Sequence, residues 1–136
     1  MVASVIVDAS FLVTLLDRRE TNHRWADAQA LRYPPPWHTC EAVISETLLL
    51  LGSAGVSAVA ALVRRRAILA SFRFDDSAEE VLALMQKYSD VPMSFADACL
   101  VRMTETLTDP LLLTTDNDFR IYRRHSRQTV PYLMPH

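Results

Sequence analysis

The sequence predicts an α/β fold in which helices cover both faces of a central parallel sheet of four to five strands. Short apolar runs of strand length alternate along the chain with longer segments of helical character, which is the order that parallel sheets produce. The chain has 136 residues, of which 50% are hydrophobic and 22% charged, enough to bury one core. We therefore expect residues 1–136 to form a single three-layer α/β/α domain.

The first strand and the first two helices follow from the N-terminal quarter. Val2–Val7 is a mostly apolar run of strand length, and it leads into a predicted helix at Ala9–Leu16. Thr21 or Asn22 can cap a second helix that continues to about Leu31. This helix must stop before the three consecutive prolines that follow, because proline removes a backbone donor and clashes with the preceding turn.

A second strand and two further helices follow the prolines. Trp37–Thr39 has the length and composition of a brief strand, and Cys40–Leu51 is predicted to be a helix. Gly52 is a natural residue just past a helix C-terminus. Another helix is expected over Ser53–Arg66, where three arginines favour the negative end of the helix dipole.

The middle of the chain predicts one more strand and one more helix. Ile68–Phe74 alternates enough to be a third strand. The next helix begins at Asp76 or Ser77, with Ser77 and Glu80 spaced as a capping box. The segment around Pro92 then breaks the chain.

The last third contains a long helix and the final strands. We expect a helix at Phe95–Leu107, a fourth strand at Leu111–Thr114, a short helix at Asp118–His125 and an edge strand at Thr129–Leu133. Together with the first three strands, these segments complete a parallel sheet with a possible fifth strand.

Several classes of protein are excluded by what the sequence lacks. Its two cysteines and four histidines show neither zinc-ligand spacing nor a disulfide framework. The two glycines belong to no phosphate-binding loop. No apolar run approaches the length of a membrane span, and the N-terminal run lacks a basic region and contains Asp8, unlike a signal peptide. We expect a cytoplasmic protein with no membrane partner.

Four acidic residues lie at the edges of apolar segments: Asp8, Glu46, Asp97 and Asp116. Asp8 and Asp116 follow predicted strands, whose carboxyl ends form the ligand-binding edge of a parallel sheet. Asp97 lies in the first turn of its helix, where the dipole favours an anion. Carboxylates that are gathered together repel one another unless a cation lies between them. Oxygen ligands alone suit Mg²⁺ or Mn²⁺, which points to chemistry on phosphate.

Each of these acids also has a purely structural interpretation. Asp97 can complete a capping box with the serine three residues before it, and Asp116 or Asp118 can cap the last helix. Glu46 can be an exposed helix residue. Asp8 is harder to explain this way, because so apolar a strand rarely ends in a buried acid without a partner. The joint pattern along the chain favours a shared site.

Arginines offer a second clue, although the formal net charge is −2. Arg120, Arg123 and Arg124 follow the last acidic segment, and Arg64–Arg66 form another cluster. The guanidinium group suits bidentate contact with phosphate. The alternative is that either cluster is a solvated helix end. We predict that the first cluster contacts RNA.

The acidic motifs and their order resemble the PIN-domain family, particularly the small single-domain VapC-type toxins. The resemblance covers essentially the whole chain. It rests on Asp8-Ala-Ser10-Phe-Leu-Val, on Thr39 followed by Glu46-Thr-Leu-Leu, on Asp90-Val-Pro-Met-Ser-Phe-Ala-Asp97-Ala, and on Thr114-Thr115-Asp116-Asn-Asp118-Phe119.

This resemblance implies a PIN-like fold with five parallel strands and a Mg²⁺-dependent nuclease activity, with Mn²⁺ as a possible substitute. The implied catalytic and metal-binding residues are Asp8, Glu46, Asp97 and Asp116, supported by Ser10, Thr115 and Asp118. Ser10 would orient Asp8. The fourth acid can be Asp116 or Asp118, because the two are near neighbours.

The predicted function is an endoribonuclease that prefers single strands, leaves 5′-phosphate and 3′-hydroxyl ends, and is the toxin of a toxin–antitoxin pair. Its expected partners are RNA, a cognate antitoxin and a second copy of the chain. An apolar groove around Leu12, Leu16 and Trp25 would receive an antitoxin helix. The main alternative is a catalytically silent PIN-like module that binds RNA or protein. A phosphatase of the haloacid dehalogenase type is disfavoured, because Ser10 stands where its second aspartate is needed.

Overall fold

The computed structural model describes residues 1–136 and has a central parallel sheet of five strands flanked by helices, which confirms the predicted fold class. The strands are β1 (Ser4–Val7), β2 (Trp37–Thr39), β3 (Ile68–Ala70), β4 (Pro110–Leu113), β5 (Arg123–Arg124), β6 (Gln128–Thr129) and β7 (Tyr132–Leu133). The helices are α1 (Ala9–Leu16), α2 (His23–Arg32), α3 (Glu41–Leu51), α4 (Gly55–Arg64), α5 (Ala78–Lys87) and α6 (Phe95–Thr106). Short 3-10 helices span Phe74–Ser77 and Asn117–Arg120.

The order of strands in the sheet is β3-β2-β1-β4-β7. The chain builds outward from β1 to β3 on one side and then returns to add β4 and β7 on the other. In parallel α/β sheets the crevice for ligands lies at such a reversal, beyond the carboxyl ends of the strands. Val7 is in register with Leu113, so the residues that follow β1 and β4 emerge side by side.

The core lies on both faces of this central pair of strands. Ile6, Val7, Leu112 and Leu113 are fully buried, as expected for strands covered by helices on both sides. Helix α6 is the most deeply buried helix, with seven of its residues inside the protein. No helix combines the length and the apolar character that crossing a membrane requires.

The third strand is shorter than predicted. The sequence prediction of Ile68–Phe74 was wrong after Ala70, because β3 pairs only with the three residues of β2. β2 ends at Thr39, so the chain beyond Ala70 has no partner for further ladder hydrogen bonds. Residues 71–73 have no regular secondary structure, and a 3-10 helix begins at Phe74.

The predicted capping box at Ser77 is absent. Ser77 precedes α5, but its side chain makes no capping hydrogen bond. Its hydroxyl accepts a hydrogen bond from Nε of Arg102 at 3.0 Å, and that guanidinium group also lies 4.0 Å from Glu80. Both residues of the predicted capping box, Ser77 and Glu80, therefore contact Arg102 of α6 instead of capping their own helix.

The predicted helix at Asp118–His125 and the predicted strand at Thr129–Leu133 were also wrong in part. Only a single 3-10 turn forms at the first position, and a small antiparallel hairpin of β5 and β6 follows it. His125 and Ser126 have φ values of 47° and 68° at the hairpin turn, which a helix cannot include. The later strand is divided between this hairpin and β7 at the edge of the main sheet.

Helix α3 is buried at its middle and exposed toward its end. Val43 is fully buried, whereas Leu50 is 61% exposed. Val43 and Thr47 are the buried positions, one turn apart. Leu50 follows Val43 by seven residues and lies on the same side of the helix, but it is exposed in the last turn, because the helix ends at Leu51.

Candidate metal centre

Asp8 anchors the site at the carboxyl end of β1. It is 5% exposed, and its side chain caps α1 by accepting a hydrogen bond from the amide of Phe11 at 2.8 Å. Ser10 donates its hydroxyl to the same oxygen at 2.7 Å, and Thr114 donates to the other oxygen. The predicted role of Ser10, orienting Asp8, agrees with this geometry.

Hydroxyl groups connect the ends of β1 and β4. Ser10 Oγ accepts a hydrogen bond from the amide of Thr115 at 2.9 Å. Thr114 Oγ1 accepts one from the amide of Asp116, also at 2.9 Å. The hydroxyls that donate to the Asp8 carboxylate therefore also fix the backbone that carries the next acid.

Three carboxylates converge beside this network. Oxygens of Asp97, Asp116 and Asp118 all lie within 4.8 Å of one another. Asp116 accepts a hydrogen bond from the amide of Asp118 at 2.9 Å, which turns the chain into the 3-10 helix and holds both side chains together. The structure thus brings Asp118 into the cluster together with Asp116, where the sequence left a choice between them.

Asp97 has both of the roles that the sequence allowed. The capping box is present, since Ser94 Oγ accepts from the Asp97 amide at 3.0 Å and the Asp97 carboxylate accepts from the Ser94 amide. The carboxylate also belongs to the acidic cluster. The cap therefore aims the side chain at the other acids.

Tyr122 is a site residue that the sequence analysis missed. It is fully buried, and its hydroxyl donates to Asp97 Oδ2 at 2.9 Å. Burial, and then the nearby Asp97 charge, raise the pKa of the Tyr122 hydroxyl, which keeps this donor protonated. A tyrosine four residues beyond Asp118 carries no recognisable signal, because its inward orientation depends on packing against Phe119, with ring centroids 5.3 Å apart.

Burial and mutual repulsion make these acids hard to ionise. Burial raises the pKa of Asp8 to about 6, against the opposing effect of its three hydrogen bonds. Burial also raises the pKa of Asp97 and of Asp118, and the negative charge of Asp116 adds to both shifts. None of the salt bridges involves any of these acids. Their charge is thus balanced only by hydroxyl and amide donors.

Glu46 stands apart from the three converging carboxylates. It is exposed on α3, and the group of oxygens within 4.8 Å does not include it or Asp8. A hydrogen bond with Cys99 lowers the pKa of the Cys40 thiol, at the start of the same helix, and the Glu46 charge is the smallest of the effects that oppose this shift. Its place among the ligands remains a prediction.

The donor chemistry fits a hard divalent cation. The cluster offers carboxylate oxygens only, as Mg²⁺ and Mn²⁺ prefer. Asp8 accepts three hydrogen bonds, and a carboxylate has about four lone-pair positions, so one remains for a ligand. Asp97, Asp116 and Asp118 would hold the ion, and Asp8 lies close enough to Asp116 for the two charges to repel.

The three predicted RNA-binding arginines differ in exposure and in the contacts that their side chains already make within the protein. Arg123 donates one nitrogen to three consecutive carbonyl groups of residues 120–122. Arg124 donates to the carbonyl of Thr104 on α6. Arg120 is exposed, bonds Asn117 and lies over the ring of Tyr132. Arg120 is therefore the best placed of the three to reach a ligand, while Arg124 mainly attaches the hairpin to α6.

Comparisons with known proteins agree with this architecture. A family model described as the PIN domain matches residues 5–124. The crystal structure of Mycobacterium tuberculosis VapC20, a toxin that cleaves the sarcin–ricin loop, superposes with a TM-score of 0.73 at 23% sequence identity. The alignment covers 85% of this chain and 92% of that one. A search of curated protein sequences gave no match.

Proposed function

This chain belongs to the PIN-domain family, and we propose that it is a divalent-metal-dependent endoribonuclease, the toxin of a toxin–antitoxin pair. One observation carries the proposal. Three carboxylates lie within 4.8 Å of one another at the point where strand order reverses, with no basic side chain to neutralise them. Such an arrangement costs stability and is usual at functional sites.

The residues of the site divide into those that hold the ion and those that position them. When bound, Mg²⁺ or Mn²⁺ supplies Lewis-acid stabilisation of phosphate charge and lowers the pKa of a water molecule. Asp97, Asp116 and Asp118 would hold this ion through their carboxylate oxygens. Tyr122 keeps Asp97 in place by donating its hydroxyl, and Thr114 holds Asp8 and the Asp116 amide at once.

We assign RNA as the substrate by likeness to the sarcin–ricin-loop-cleaving toxin. Single-stranded segments and loops suit a site of this kind, because a scissile phosphate must approach the base of an open crevice. Water attacks phosphorus in line and the 3′ oxygen leaves, so the products carry 5′-phosphate and 3′-hydroxyl ends. Arg120 is exposed and follows the acidic segment directly, which supports a contact between its guanidinium group and the RNA backbone.

An apolar groove between α1, α2 and α4 fits the antitoxin. Its volume is about 610 Å³, and Leu16, Leu31, Trp37 and Leu62 contribute to its lining. Leu31 is 85% exposed, which is costly for a leucine unless a partner covers it. An amphipathic helix laid in this groove would bury Leu31 and the part of Leu16 that is still open, on a floor formed by Trp37 and Leu62.

Of the three residues predicted to surround the groove, only one lines it. Leu16 lines it, but Leu12 is buried in the core and Trp25 packs edge-on against Phe11.

Leu49 is 81% exposed on α3 and lies outside the groove. We propose that this side of α3 contributes to a homodimer.

The deciding experiment is cleavage of a single-stranded RNA by the purified chain with Mg²⁺, with Mn²⁺ and with EDTA. We expect cleavage with either metal, none in EDTA, and none by Asp116→Asn, whose fold should be intact by circular dichroism. RNA that is bound but not cut under every condition would favour the silent binding module.

Co-expression with the product of the neighbouring gene should relieve toxicity if that gene encodes the antitoxin, and Leu31→Glu should prevent the relief.

A further inference from the structure

Three of the five phenylalanines gather on one surface at the start of α6: Phe72, Phe74 and Phe95. Phe74 is 36% and Phe95 40% exposed. Their rings meet edge-on, with centroids 5.3 Å apart and an angle of 67° between their planes. Two rings held rigidly by each other and open to water form an aromatic surface whose free faces can take a further flat ring.

The first turn of α6 connects this aromatic surface to the proposed site. Phe95 is the first residue of that helix, and Asp97 comes two residues later. With about 100° of rotation per residue, the two side chains point to opposite sides of the helix N-terminus. A strand that crosses this N-terminus can therefore present a phosphate to Asp97 and an adjacent base to Phe95.

A pocket extends the aromatic surface toward the carboxyl end of β3. Its volume is about 360 Å³, and Glu41, Arg73, Phe74 and Asp75 are among its lining residues. This volume falls in the range of about 300–1,000 Å³ found for small-molecule sites. The pocket combines one cation and two acceptors with an apolar wall.

Arg73 is the available cation of this pocket. Its side chain is 75% exposed, and its only ion pair, with Asp76 at 3.6 Å, is equally open to water. Exposed pairs of this kind contribute little, so Arg73 can exchange Asp76 for a phosphate at small cost. Glu41 and Asp75 carry no such ion pair and can accept hydrogen bonds from the edge of a base.

We propose that Phe74 and Phe95 stack an unpaired nucleobase of the RNA next to the cleaved phosphate, with Arg73 on the adjoining backbone phosphate. Aromatic side chains are the usual platform for bases of single-stranded RNA. The carboxylates of Glu41 and Asp75 favour a base that carries an exocyclic amino group, so uracil binds least well. The inference rests on the proposed ribonuclease function and specifies the nucleotide subsite beside it.

The competing explanation is that these rings only cover the protein interior. Phe74 and Phe95 also line a cavity of about 80 Å³ together with Cys40 and Cys99. Leucine at both positions preserves apolar cover but removes the flat ring. Tyrosine preserves the ring. The two replacements therefore separate stacking from cover.

The test measures binding of a short single-stranded RNA of mixed sequence to the full chain carrying Asp116→Asn, which prevents cleavage. An abasic residue is moved through the RNA one position at a time. At one position it should weaken binding by about 5- to 150-fold, the loss expected for one stacked base. Phe74→Leu with Phe95→Leu should weaken binding of intact RNA by a similar factor and make the abasic residue at that position harmless. The tyrosine pair should restore both.

Two further measurements make the outcome unambiguous. A 2-aminopurine base at the sensitive position should lose fluorescence on binding to the parent, which tests stacking even if the leucine variant fails to fold. Leu82→Ala, at an exposed apolar residue of α5, is the control that should change nothing. If the abasic residue weakens binding equally in the Asp116→Asn chain and in its leucine variant, the stacking proposal is refuted. Cleavage of RNA by the wild type would still support the ribonuclease function in that case. A wild type that neither binds nor cuts RNA would refute both.

Discussion

Asp8 should make the metal-free protein less stable at neutral pH than at mildly acidic pH. Its folded pKa is about 6, against an ordinary value of 3.8, so the folded state binds the proton more tightly than the unfolded chain. This difference corresponds to about 3 kcal/mol. The contribution of Asp8 to the free energy of unfolding is therefore highest below pH 4, falls as pH rises to 6, and is constant above.

Comparison with Asp8→Asn isolates this contribution, because the variant keeps every other titrating group. Thermal and urea unfolding in EDTA from pH 4 to 7.5 should show the variant gaining about 3 kcal/mol relative to wild type across that window, or about 10 °C in melting temperature. The hydrogen bonds that the variant loses change its free energy of unfolding by the same amount at every pH, so they do not affect how the difference from wild type depends on pH. A difference that stays flat between pH 4 and 7 would show that Asp8 titrates normally and would refute the reasoning. Mg²⁺ at pH 7 should stabilise the wild type more than the variant.

Three further predictions concern the neighbouring residues. Asp97→Asn should abolish cleavage while keeping or raising the melting temperature in EDTA, since it removes a repelled charge; a clear loss of stability would mean that the helix cap dominates. Asp116→Asn and Asp118→Asn should each weaken Mn²⁺ binding measured by titration calorimetry, and an unaffected affinity would remove that residue from the ligand set. Arg120→Ala should make the slope of log K against log salt for RNA binding shallower by about 0.7, whereas Arg124→Ala should mainly lower stability by freeing the Thr104 carbonyl.

The sheet and its acidic edge were predictable because they depend on local pattern. Apolar runs fixed β1 and β4, and an acid directly after each could be placed at the carboxyl edge by the geometry of parallel strands alone. Ser94 and Asp97 form the predicted capping box because its spacing is a property of one helical turn. These features need no knowledge of distant partners.

The features that escaped prediction depend on contacts distant in sequence. Ser77 accepts a hydrogen bond from Arg102 and does not cap its own helix. Arg124 donates to the Thr104 carbonyl and lies in a hairpin rather than a helix. Tyr122 reaches Asp97 across 25 residues. The exposure of Glu46 also depends on how α3 is rotated against its neighbours, which periodicity in so leucine-rich a helix cannot determine.

The hydrogen bonds around Asp8 explain how the fold tolerates an unneutralised acidic site. A lysine or arginine beside the cluster would relieve the repulsion, but it would also occupy the position of a catalytic cation. Hydroxyls and amides supply partial positive charge without blocking that position, and Thr114 serves both Asp8 and the Asp116 backbone. These donors do not offset the whole cost of ionising the acids, because the pKa values of Asp8, Asp97 and Asp118 are still raised. That remaining destabilisation is the free energy that a bound divalent cation can recover, so stability in EDTA and metal affinity should change in opposite directions when these acids are neutralised.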